Sequence, residues 1–141
     1  LVWVTLGLCI CISPFLWKPV FARFDDGVPL ALILIAIAIG SSIPVLFSSF
    51  VGLVISAVIF GLSVFMAPGA ITNFTRKNLH ENNWAYSISV FTIIFALAQT
   101  VGPFAAGALG DWLENIGASL LMASMVMLLG AFFAYFQKGI R

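Results

Sequence analysis

The chain has 141 residues, 62% hydrophobic and only 8% charged, with a mean hydropathy of +1.17. That composition leaves too little polar surface for a water-soluble globule and marks an integral membrane protein. The net charge of +1 comes without any basic stripe, so no nucleic-acid surface is present, and the message lies in where the charges fall.

The six basic residues, Lys18, Arg23, Arg76, Lys77, Lys138 and Arg141, occupy three short stretches. Between them the chain is almost free of charge: Leu1 to Trp17, Gly27 to Thr75, Asn82 to Gly110 and Asn115 to Gln137 contain no Asp, Glu, Lys or Arg. A helix needs about 20 apolar residues to cross the hydrocarbon core. The long run from Gly27 therefore holds two crossings and each other run one, which predicts an all-α membrane protein of five transmembrane helices.

Span one covers residues 1–16 and closes on Pro14, Trp17, Lys18 and Pro19, which combine an interfacial aromatic, a charge and helix-breaking rings. No basic n-region precedes it and no small-residue cleavage site follows, so it does not read as a signal peptide. Cys9 and Cys11, two apart in an apolar span, have neither metal nor redox spacing and read as packing residues. After a loop through Arg23, Asp25, Asp26 and Gly27 comes span two, 29–46. Ser48, Ser49 and Gly52 mark the only plausible turn in the uncharged run. Span three, 50–74, is interrupted by Pro68 and Gly69 and exits into Arg76, Lys77, Asn78, His80 and Glu81. Span four covers 84–110 and span five 116–136. The loop between these last two holds Asp111 and Glu114 and no base.

Alternating sides across five spans gathers all the bases on one face and Asp111 with Glu114 on the other. The positive-inside rule makes the basic face cytoplasmic, which puts the C-terminus inside. The first residue then lies outside, which predicts the C-terminal part of a longer polytopic protein.

In a bilayer, small and polar residues mark helix-to-helix faces. On span four, Ser89, Thr92, Ala96, Gln99, Pro103, Ala106 and Gly110 share one stripe, opposite Val90, Ile94, Leu97, Val101 and Phe104. Span three repeats the pattern with Gly52, Ser56, Ser63, Ala67 and Ala70, with Met66 and Asn73 beside them. Both spans read as interior. Span two, almost all Leu, Ile and Ala, and span five read as peripheral, while span one is intermediate.

Pro68-Gly69 and Gly102-Pro103 each free a backbone carbonyl, and such breaks are tolerated where protein or cavity water satisfies it. Each is open to two readings, a gating bend beside a substrate path or a static kink. Gln99 likewise reads either as a helix-to-helix hydrogen bond or as a cavity group. His80, among Lys77, Asn78 and Glu81, reads as a solvated loop residue. The five carboxylates all lie in loops, and the single His has no partner at catalytic or metal spacing. The sequence therefore predicts no enzyme, no cofactor and no metal site. The spans also lack any intramembrane ionisable group, so proton coupling would need a titrating residue outside this stretch.

From Phe95 through Gln99, Gly102, Pro103, Gly107 and Gly110 to Asp111, followed by Gly117 and an apolar span ending at Gln137-Lys138, the chain resembles the last two helices of the major facilitator superfamily. Phe60, Gly61, Phe65 and Met66, with the exit Pro14 to Trp17, are similar to the YbfB/YjiJ-type subgroup of bacterial transporters, which implies a bacterial inner membrane. The resemblance implies that the five spans correspond to helices eight to twelve of a twelve-helix transporter. It also implies that helices eight, ten and eleven line a central cavity, with nine and twelve outside. The loop Lys18 to Pro29 would be the copy of the family's short basic cytoplasmic loop, from which it departs in placing Asp25 and Asp26 before Gly27 with Arg23 its only Arg. Ala98 stands where related sequences often place Gly.

The resulting expectation is the C-terminal part of a secondary transporter that moves a small solute by rocking of two halves around a midplane site. Its candidate cavity residues are Gln99, Thr92, Ser89, Ser63, Met66 and Asn73, with Pro68, Gly69, Gly102 and Pro103 as bend positions. The expected partners are the lipid bilayer, a small-molecule substrate and the transporter's N-terminal half. The alternative is a noncatalytic helical subunit or scaffold of a larger membrane complex, with the small-residue stripes as permanent docking faces.

Overall fold

The computed structural model describes residues 2–139. The start of span one at Leu1 and the last base, Arg141, lie outside the described residues. Six α-helices follow in order: α1 Val2–Arg23, α2 Val28–Leu46, α3 Phe50–Gly61, α4 Met66–Asn78, α5 Trp84–Leu113 and α6 Ile116–Tyr135, with a 3₁₀ turn Glu81–Asn83 before α5. Helices α3 and α4 form one crossing, so five stretches are long and apolar enough to traverse a membrane. The 19 residues of α2 reach about 28 Å at about 1.5 Å each, close to the hydrocarbon core of about 30 Å.

The zigzag brings the base-bearing segments together at one end. Lys77 bonds the end of α1, the Gly27 amide donates to the Gln137 carbonyl at 2.9 Å, and Gly139 lies beside Asp25 and Asn78. Lys18, Arg23, Arg76, Lys77 and Lys138 are therefore on the same side of the bundle. At the other end lie the turn after α2, where the Ser49 hydroxyl accepts from the Gly52 amide at 3.1 Å and caps α3, and the α5–α6 turn, where Gly117 sits against Val45.

The expectation that span two is peripheral is corrected by the packing. Among the five spanning stretches α2 carries the largest share of buried residues. Its Ala31 meets Ala131 and Ala134 of α6, with Leu30 and Leu34 beside them. On another face Ile33 and Ile37 pack with Ala70 of α4, flanked by Trp17, Phe21 and Phe60. The reading failed because it counted hydroxyls. Between helices in lipid the attraction is close van der Waals contact, and Ala31, Ala38 and Gly40 allow it without any polar atom. At Gly40 a Cβ would stand 2.9 Å from the Phe60 backbone nitrogen, so this crossing requires glycine. One polar tie joins α2 to α6, a 2.8 Å hydrogen bond between the Ser41 and Ser124 hydroxyls.

Two prolines inside helices are accommodated by donors placed for them. Pro14 strips the Ile10 carbonyl of its α-helical donor, and the fully buried Ser13 hydroxyl donates to that carbonyl at 2.8 Å. Pro44 does the same to Gly40, whose carbonyl receives the Ser56 hydroxyl of α3 at 2.6 Å. Thus α1 continues past Trp17, Lys18 and Pro19 to Arg23, beyond the end those residues suggested. Pro68 sits in the first turn of α4, where a missing N–H is harmless. The interruption of span three lies just before that turn, at residues 62–65. The Trp17 indole donates to the Leu62 carbonyl there at 2.7 Å.

Removal of the Ser56 hydroxyl leaves the Gly40 carbonyl buried without a donor. Ser56→Ala is expected to destabilise the bundle by about 0.6 to 2 kcal/mol, read as thermal unfolding in detergent. In a Pro44→Ala background, where residue 44 regains its N–H, the same change should cost clearly less. Equal costs in the two backgrounds would mean that Ser56 does not stand in for the amide that Pro44 lacks.

Candidate functional site

Helices α1 and α4 flank a groove of about 570 Å³ that opens near the base-bearing end, lined by Met66, Gly69, Asn73, Pro14, Lys18 and Lys77 among others. The structure thus brings together Met66 and Asn73 with the bend position Gly69. Ser63 lies nearby but is buried inside the α3–α4 break, 2% exposed, and Pro68 starts α4. No residue of α5 lines this groove, so Gln99, Thr92 and Ser89 are not joined to the span-three set.

The polar groups of the groove are largely engaged with the protein. The Asn73 amide donates to the Phe21 carbonyl at 3.3 Å. The Lys77 ammonium donates to the carbonyls of Phe21 at 2.7 Å, Phe24 at 3.1 Å and Ala22 at 3.3 Å, and pairs with Asp25 Oδ1 at 2.7 Å. Asn78 adds a 2.7 Å bond to the Asp25 carbonyl. A cation at the negative end of a helix is favourable on electrostatic grounds, and here it also fills the carbonyls that the end of α1 leaves open. Lys77 and Lys18 are groove residues that the sequence reading did not nominate. Their placement on the same face was visible as a charge pattern, but the groove between α1 and α4 was not.

Helix α5 differs. None of its described residues is buried, and it packs on α6 and α4. Three of its hydroxyls bond their own helix: Ser89 donates to Ala85 at 2.7 Å, Thr92 to Ile88 at 2.8 Å and Thr100 to Ala96 at 3.0 Å. Gln99 has no such outlet. Its carboxamide is exposed, and Pro103, four residues on, removes the α-helical donor to its backbone carbonyl as well. The helix nevertheless runs unbroken through Gly102 and Pro103, and nothing lies within 4 Å of where a Gly102 Cβ would be.

Five apolar crossings with their bases collected at one end define a polytopic α-helical integral membrane protein. Over residues 1–135 the chain matches the family described as "Uncharacterised MFS-type transporter YbfB". It belongs to that family of major facilitator transporters. No curated protein and no solved structure matches it.

The clamp at Lys77 yields a graded expectation. Lys77→Ala should destabilise the bundle by on the order of 2 kcal/mol, since hydrogen bonds from a charged donor are lost, and should expose the 24–27 loop to protease. Asp25→Asn, at an exposed carboxylate, should cost no more than about 1 kcal/mol. Equal losses in thermal unfolding would show that the ion pair, and not the carbonyl contacts, holds the joint.

Proposed function

We propose that the chain forms helices eight to twelve of a twelve-helix secondary transporter that moves a small solute by alternating access, with the exposed polar stripe of α5 facing the path between two halves. The carrying observation is Gln99. In a helix where Ser89, Thr92 and Thr100 bond their own backbone, it presents in mid-span an unpartnered carboxamide and, through Pro103, a carbonyl lacking its helical donor. Hydrocarbon does not tolerate such groups, so water, substrate or another helix must meet them. Membership of the transporter family favours the path over a permanent docking face.

On this reading Gln99, Thr92 and Ser89 contact the path from α5, and Met66, Asn73 and Ser63 from the α3–α4 crossing. Gly102 and Pro103 supply a compliant point in α5, and Pro68 with Gly69 one beside the existing break. The base-bearing end faces the cytoplasm of a bacterial cell, by the positive-inside rule. The opposing half closes the cavity, so the chain alone moves no solute.

Two measurements test this. In the whole transporter, Gln99→Ala should lower solute binding or uptake at least several-fold with folding unchanged. Loss of thermal stability by about 0.6 to 2 kcal/mol with unaltered affinity would instead make the stripe an interface. For orientation, single cysteines replacing Lys77 and Lys138 on a cysteine-free background should be labelled from the cytoplasm and one replacing Glu114 from outside. Labelling of all three from one side would end the proposed topology.

A further inference from the structure

At the end remote from the bases, where α5 gives way to α6, lies a cavity of about 700 Å³. Ile116, Leu120 and Ala123 supply apolar wall, and Asp111 and Glu114 line it as carboxylates. Both carboxylates are exposed, residues 111–117 include no base, and neither acid forms an ion pair among the described residues. Into the same cavity faces Ser119, 8% exposed, whose hydroxyl has no hydrogen-bond partner. Among the described residues it is the one buried side-chain polar atom without a partner, whereas Ser41, Ser42, Ser89, Thr92 and Ser124 each donate to a carbonyl of their own helix.

The sign of the site is set by the helix ends. The free amides opening α6 would favour an anion, but Asn115 Oδ1 already accepts from Gly117 at 2.8 Å and Ala118 at 3.3 Å. What remains is the carbonyl end of α5, the negative pole of its dipole, and two carboxylates. Two carboxylates and one hydroxyl fall short of the six to eight oxygens of a calcium site, while the volume lies in the range of pockets for organic ligands, about 300–1,000 Å³.

We propose that this cavity binds a small primary alkylammonium ion, with its N–H groups directed at Asp111, Glu114 and the Ser119 hydroxyl oxygen and its alkyl chain against Ile116, Leu120 and Ala123. Binding requires no transport cycle, so the site stands or falls apart from the function proposed above.

The test is calorimetry on the purified chain in zwitterionic nanodiscs with n-butylammonium, its N-trimethyl analogue, n-butanol and calcium. Saturable binding of n-butylammonium is expected, with n-butanol far weaker. The double variant Asp111→Asn, Glu114→Gln, at two exposed positions and with an unchanged melting temperature, should weaken it about ten-fold or more through loss of charge-assisted hydrogen bonds. Ser119→Ala should weaken n-butylammonium about ten-fold, the scale of one hydrogen bond from a charged donor, and leave the quaternary analogue, which has no N–H, unaffected. The proposal is overturned by no saturable binding, by n-butanol binding as well as the ammonium, by calcium binding in its place, or by unchanged affinity in the double variant.

Discussion

Hydrocarbon offers a backbone carbonyl no donor, and this constraint shapes the bundle at two prolines inside helices, Pro14 and Pro44. At Pro14 the remedy is local, since Ser13 sits one residue before the ring and reaches Ile10 within the same helix. At Pro44 it is tertiary: Ser56 of α3 crosses to Gly40 of α2, and it can do so only because Gly40 has no side chain to hold the helices apart. Close approach, proline and hydroxyl thus form one device. From it follow the position of α3 against α2, the burial of Ile33 and Ile37 against α4 and the central place of a helix with almost no polar residues.

The two ends of the bundle are chemically unlike. At the basic end the chain is tied: Lys77 and Asn78 take the carbonyls of residues 21–25, the Gly27 amide reaches Gln137, and Trp17 reaches the α3–α4 break. These ties join α1, α4, the start of α2 and the segment after α6, all of them through backbone groups and all but the Gly27–Gln137 bond made by side chains. The acidic end has fewer such ties, and its two carboxylates are open to whatever approaches.

The candidate transport residues divide along the same lines. Those on the α3–α4 crossing lie in or beside the open groove between α1 and α4 and are partly committed to holding α1, as the Asn73 amide is. Those on α5 face outward from the described chain. Ser89 and Thr92 have already spent their donors on their own helix, which concentrates the unmet polarity of that face at Gln99. Amphipathic spacing grouped all three on one stripe but could not rank them, because ranking depends on which side chain is too long to bond its own turn.

The sequence by itself determined the class, the number of crossings, the sidedness of the bases and the family, because each rests on quantities that run along the chain: lengths of uncharged runs, residue spacing and the order of motifs. It also located the turn after α2, since Ser49 and Gly52 act within one helical turn of each other. Only the tertiary structure decided which helix is central, which carbonyls the prolines hand to which hydroxyls, and that Lys77 rather than an arginine of the loop closes α1. Each of these joins residues far apart in sequence, such as Gly40 with Ser56 or Phe21 with Lys77, and an apolar helix carries no mark of which neighbour its alanines will meet. That is settled by shape, when two surfaces come within van der Waals distance and the polar groups left over must find one another.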